Sequence, residues 1–157
     1  MSNTSPEEIA ALIRPSLTQL YVTYFRRASQ SDLTGPQLTI MSRLAENGPS
    51  RINEVARREG IRMPTASNAL HQLEQRGMIE RLRDTADRRG VRVRLTALGR
   101  TELERVGSER TRYLAEMLST LEPDELEAVK NIAPLIKQLA LNYAAASSED
   151  EEEDSME

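Results

Sequence analysis

Two short stretches hold the side chains best suited to chemistry, and that chemistry is hydrogen bonding to a polyanion rather than bond making. The first begins at Arg62. At about 100° per residue, a helix here turns Ala66, Ala69, Leu70 and Leu73 to one side and Pro64, Asn68, His71, Gln72 and Gln75 to the other. The outer face carries no acid. Its amides match adenine edges, and small residues such as Ser67 permit close approach to a groove. Arg62 and Thr65, at the helix start, can reach a guanine or a phosphate together with backbone N–H groups. The second stretch is a polar turn at residues 84–90, with Asp87, Arg88 and Arg89. An arginine on a protruding tip can enter a narrow minor groove. Asp87 can hold the Arg89 guanidinium from two residues away. Each stretch also reads as something plainer, a solvated helix face and a turn with one ion pair.

Composition removes most other chemistry. The chain has 157 residues, no Cys, no Trp, one Phe and one His. This length suits one compact domain. Without Cys there is no disulfide framework, thiolate nucleophile or Cys-based metal site. A lone His71, on the outer helix face, is a poor start for a metal cluster. No Gly-rich phosphate loop or plausible carboxylate pair completes a catalytic constellation, so no enzyme and no cofactor are expected. No run of about 18 apolar residues exists to span a membrane. The polar, acidic N-terminus lacks a basic-then-apolar leader pattern, so the chain is expected to stay in the cytoplasm.

Charge is unevenly spread. Residues 51–100 hold 12 Arg and six acids, a local charge of +6; the whole chain carries −4, so the remainder carries −10. A basic middle is an electrostatic footprint for nucleic acid, although a solvated surface with ordinary ion pairs would look the same by charge alone. Seven acids fall within residues 149–157. They repel one another and bury nothing, so residues 147–157 are expected to be disordered.

The elements that must position these groups follow from periodicity. Ser5 and Glu8 form a capping box ahead of a helix from residue 6 to about 29–32, and Pro15 is expected to kink or break it near Arg14. Thr34 and Gln37 form a second box before a helix that stops at Asn47-Gly48-Pro49. Asn53 is expected to cap a short helix running to about Glu59. The helix carrying the outer face runs from about Met63 to Arg76. The period then changes from 3.6 to 2: residues 78–83 are extended, and Val91, Val93 and Leu95 alternate with Arg92 and Arg94, giving a β-hairpin with a long basic tip. Thr96 caps a helix of about 25 residues. A last helix opens at Glu122-Pro123-Asp124-Glu125, with Pro134 expected to bend it. The fold expected is mainly α with a small β-hairpin wing: a winged helix-turn-helix at 33–96 between helical segments at 6–32 and 97–146.

Over residues 33–100 the sequence resembles the MarR family of bacterial transcription regulators. The most specific pieces are LEQRGMIER (73–81), the Asp87-Arg88-Arg89-Gly90 tip, and Val93-Arg94-Leu95-Thr96 followed by Gly99. The resemblance implies that Arg62, Thr65 and Asn68 face DNA, and that Arg89 enters the minor groove with Asp87 as its orienter. The family often has a small hydroxyl residue where Arg62 stands and a basic one where Asn68 stands, which implies an unusual operator.

The segments at 6–29 and 97–146 carry long apolar stripes that a small winged helix cannot cover. A two-fold homodimer is the economical solution; a monomeric helical bundle is the alternative. A dimer would place two such helices about one DNA turn apart on double-stranded DNA with a near-palindromic site. Many proteins of this family release DNA on binding a small phenolic or lipophilic effector. Tyr21, Tyr24, Phe25 and Tyr113 are the aromatics that could line such a pocket, or equally fill an interface. A protein-interaction module on the same fold, without specific DNA binding, remains the competing function.

Overall fold

The structure, a computed structural model, describes residues 4–28, 32–83 and 91–154, with side chains at 4–27, 32–83 and 91–143. Helix α1 spans Pro6–Ala28. Its capping box forms as expected: Glu8 N–H donates to Ser5 Oγ (3.2 Å) and Ser5 N–H to Glu8 Oε2 (3.1 Å). The expected break at Pro15 does not occur, and the helix runs through it. Proline removes a single bond here, the one to the Ala11 carbonyl. Ala11 lies on an exposed helix, where water can take up the orphaned carbonyl.

Helix α2 is Gly35–Asn47, with the reciprocal Thr34/Gln37 box in place. A cap of this kind contributes about 1 kcal/mol. Strand β1 (Ser50–Arg51) leads into α3 (Ile52–Arg58), whose N-cap is Arg51 rather than Asn53. Pairing Ser50 with Val93 and Arg51 with Arg92 holds the chain extended to residue 51. The helix therefore starts before Asn53 can cap it. Helix α4 is Met63–Gln75. Gly77 follows at φ 70°, a conformation costly for residues with a Cβ, and turns the chain into β2 (Ile79–Arg83). Strand β3 (Val91–Leu95) returns antiparallel to β2, with Ile79 opposite Leu95 and Arg83 opposite Val91. The expected hairpin is thus two strands of a three-stranded sheet in the order β1-β3-β2. A two-residue strand is too short to show a period-2 pattern, so sequence did not reveal β1.

Helix α5 (Ala97–Leu118) starts at Thr96, whose hydroxyl accepts from Gly99 N–H at 3.1 Å. Helix α6 runs from Pro123 to Asp154, again through its proline, Pro134. The expectation of no structure from residue 147 is corrected for 147–154. After Pro134 no Gly or Pro interrupts the chain, and Ala144, Ala145, Ala146 and the glutamates that follow have good helix propensity.

The core lies within residues 33–106. Leu33, Ile40, Met41 and Leu44 meet Val55, Ala66, Leu70, Leu73, Ile79, Val93 and Val106, all buried. Outside it the helices keep their apolar residues in solvent: Leu12 is 80% exposed, Leu135 68% and Leu139 69%. Among the described residues no helix is long and apolar enough to cross a membrane.

Candidate nucleic-acid interface

Helix α4 divides its faces as its periodicity predicts. Ala66, Ala69, Leu70 and Leu73 are buried, while Arg62, Pro64, Thr65, Ser67, Asn68, His71, Gln72 and Gln75 are exposed. Each buried position serves the core, so the outer positions are free to be chosen for what they touch. No side chain caps the α4 N-terminus, where Arg62 sits at N-cap with extended backbone and Pro64 occupies the first turn. An uncapped N-terminus of a 13-residue helix carries partial positive charge suited to a phosphate.

Gln72 is the exception on this face. Its Oε1 accepts from Gln37 Nε2 at 2.7 Å, and Gln37 is itself buried, at 3% exposure, in the α2 box. Gln72 therefore clamps α4 against α2 through its amide oxygen. Sequence reading took Gln72 for an outward amide alone, since no local signal links positions 37 and 72.

The base of the hairpin is better compensated than its arginine count suggests. Arg81 Nε donates to both Glu74 oxygens (3.1 and 3.0 Å), Arg94 Nε to Glu80 Oε1 (2.7 Å), and Arg92 to the Pro49 carbonyl (2.6 Å). Glu74 and Glu80 are thus engaged in ion pairs with Arg81 and Arg94, outside the α4 outer face. Asp87, Arg88 and Arg89 lie outside the described residues.

The aromatic residues divide unequally. Tyr21 and Phe25 stack with ring centroids 4.3 Å apart, and Tyr24 meets Phe25 edge-on at 5.5 Å. Tyr113 lies beneath two guanidinium groups, Arg27 at 5.8 Å and Arg112 at 5.6 Å from its ring centre, and Arg27 also pairs with Glu116. Its hydroxyl donates to Glu109 at 3.1 Å. A groove of about 270 Å³ lies elsewhere, between α2 and α3, lined by Leu38, Thr39, Ser42, Arg43, Glu46 and Glu59, none of them aromatic.

The chain is similar to transcription regulators of known sequence and structure. The MarR family model matches residues 33–91. The HTH-type transcriptional repressor MdtR of Bacillus subtilis is 29% identical over 108 residues, covering 69% of this chain and 70% of that protein. A probable transcriptional regulator from Pseudomonas aeruginosa is 28% identical at a TM-score of 0.63, over 80% of this chain and 95% of that one. A MarR family protein from Bacillus stearothermophilus shares the fold at a TM-score of 0.70 and 22% identity, over 86% of this chain and 97% of that one.

Proposed function

We propose that the chain, whose residues 33–91 match the MarR family model, works as a homodimeric repressor on a near-palindromic operator. In this reading α4 is the recognition helix in the major groove, reading through Arg62, Pro64, Thr65, Ser67, Asn68, His71 and Gln72. The hairpin tip enters the minor groove with Arg89, assisted by Arg88 and held by Asp87. The observation that carries the reading is the α4 outer face: exposed, free of acid and backed by a fully buried apolar stripe. The exposed leucines of α1 and α6 support the dimer, because an isologous contact would cover the same stripe on both chains. The repressor sense follows MdtR, which is named as one. The clustered Tyr21, Tyr24 and Phe25, together with Tyr113, are the proposed surface for a small phenolic or lipophilic effector that releases DNA.

The test is fluorescence anisotropy on the duplex upstream of the chain's own coding region and on random duplex, over a salt series. Sedimentation runs in parallel. Wild type is expected as a dimer that prefers the upstream DNA by about a thousandfold. Arg89→Ala is expected to bind that DNA about tenfold more weakly, with its salt slope reduced by about one. A monomer would overturn the dimer. Weak, equal affinity for both duplexes that ignores Arg89 would overturn operator binding at that site.

A further inference from the structure

Three arginines from two helices converge on one dipeptide. Asp32 and Leu33 lie just ahead of α2. Arg76, the C-cap of α4, donates from Nη1 to the Asp32 carbonyl at 2.6 Å. Arg105 of α5 donates to Asp32 Oδ2 at 3.0 Å. Arg110, five residues further along α5, donates from Nη2 to the Leu33 carbonyl at 2.7 Å. The Leu33 side chain is itself locked in the core at 1% exposure. One point thus receives the end of α4 and the middle of α5.

The position along α5 matters. Val106 is fully buried in the core and Arg110 is 8% exposed, whereas Leu114 is 48% exposed. Arg110 therefore marks where α5 leaves the DNA-binding lobe and becomes an arm. It is a costly residue to place there. Its charge is almost wholly removed from water, and its Nε has no hydrogen-bond partner among the described residues. A leucine or methionine would pack the same site without an unsatisfied donor. The one thing a guanidinium adds is the bond to the Leu33 carbonyl. Arg105 is held in place from the other side by Glu102 (2.9 Å). Its guanidinium is kept above its ordinary range, first by Glu102 and then by Asp32.

We propose that the Asp32-Leu33 crossing is the joint that sets the angle between the recognition helix and the α5 arm, and through it the half-site spacing that a dimer accepts. Arg76, Arg105 and Arg110 are positioning residues that act through the crossing and touch no DNA. Geometry gives the joint its leverage. The reading end of α4 lies some 13 residues from Arg76, about 20 Å at 1.5 Å per residue. A tilt of about 10° at the joint moves that end by roughly 3.5 Å, close to the ~3.4 Å step between base pairs. Small slack at the crossing therefore becomes a whole base pair at the groove.

This inference rests on the dimeric DNA-binding reading for its spacing consequence, and on the fold alone for the joint. Its experiment reads the two separately. The chain has no cysteine, so spin labels can be placed only at Ser67→Cys on α4 and Ala115→Cys on the arm. Labelled chain is diluted with unlabelled chain. The unaltered joint is expected to give one narrow distance. Arg110→Met, and separately the exposed pair Arg76→Gln with Arg105→Gln, are expected to broaden it at unchanged helix content. An unchanged mean and width in both variants overturns the joint; should Arg110→Met fail to fold, the exposed pair decides. On duplexes whose half-sites are moved apart or together by one base pair, the same variants without labels are expected to lose about tenfold of the wild-type spacing preference. A retained preference overturns the spacing consequence. Wild type that prefers no duplex overturns the DNA reading, while the label distances still judge the joint.

Discussion

Gly99→Ala is expected to remove about 3 kcal/mol or more of folding stability. A Cβ on Gly99 would stand 2.0 Å from the Met78 carbonyl oxygen and 3.0 Å from its carbon. No rotamer change relieves that contact, because both partners are main chain. The Met78 carbonyl is also fixed, since it accepts from Thr96 N–H at 3.1 Å. The first turn of α5 would have to lift from the entry to β2, opening the core beside Leu95, whose Cδ2 lies 3.1 Å from the same Cβ position. A domain of this size commonly has about 5–15 kcal/mol in total, so the loss is a large share. Urea unfolding measures it, with Gly107→Ala as the control. Gly107 lies in the same helix with nothing within 4 Å of its added Cβ, and that change is expected to stabilise by about 0.5–1 kcal/mol. Equal midpoints for Gly99→Ala and wild type would refute the close approach. DNA affinity is expected to fall with the stability, because Met78 lies in the link between the end of α4 at Gln75 and the start of β2 at Ile79.

Asn68→Asp is expected to weaken specific DNA binding about a hundredfold while leaving stability within about 0.5 kcal/mol. The two side chains have nearly the same shape, and Asn68 is exposed in mid-helix, so the fold does not register the change. The groove does. An amide that both donates to and accepts from an adenine edge becomes a carboxylate that only accepts. It also places a negative charge on the acid-free outer face of α4, among phosphates spaced about 1.7 Å apart along the duplex axis. Anisotropy on the operator and on random duplex separates the two effects. Loss on the operator alone reports base reading, and equal loss on both reports repulsion. Undiminished affinity on both duplexes would remove Asn68 from the interface.

Sequence went far because the residues concerned report on themselves. The α4 stripe of Ala66, Ala69, Leu70 and Leu73 shows in a 3.6-residue period because a helix has one buried side. The capping boxes at Ser5 and Thr34 show because their bonds span three residues. The switch to period 2 located β2 and β3 for the same reason. Contacts without a local pattern stayed hidden. Nothing near Ser50 announces that it pairs with Val93. Gln72 shows no sign of Gln37, and Asp32 shows none of Arg76, Arg105 or Arg110. The arginine surplus at residues 81–94 left ion pairs open as an alternative, because counting charges does not reveal that Glu74 and Glu80 engage Arg81 and Arg94.

By itself, then, the sequence determined the order and type of nearly every element, the buried and open faces of α4, the exclusion of thiol chemistry and the family resemblance, because periodicity, caps and composition act over a few residues. Tertiary structure alone decided the third strand, the clamp on Gln72, the close approach at Gly99 and the arginine joint at Asp32-Leu33. Each of these depends on two segments 21 to 77 residues apart being brought within hydrogen-bond or contact distance. Only the folded core, with Leu33, Ile40, Leu73 and Val106 packed at its centre, sets those distances.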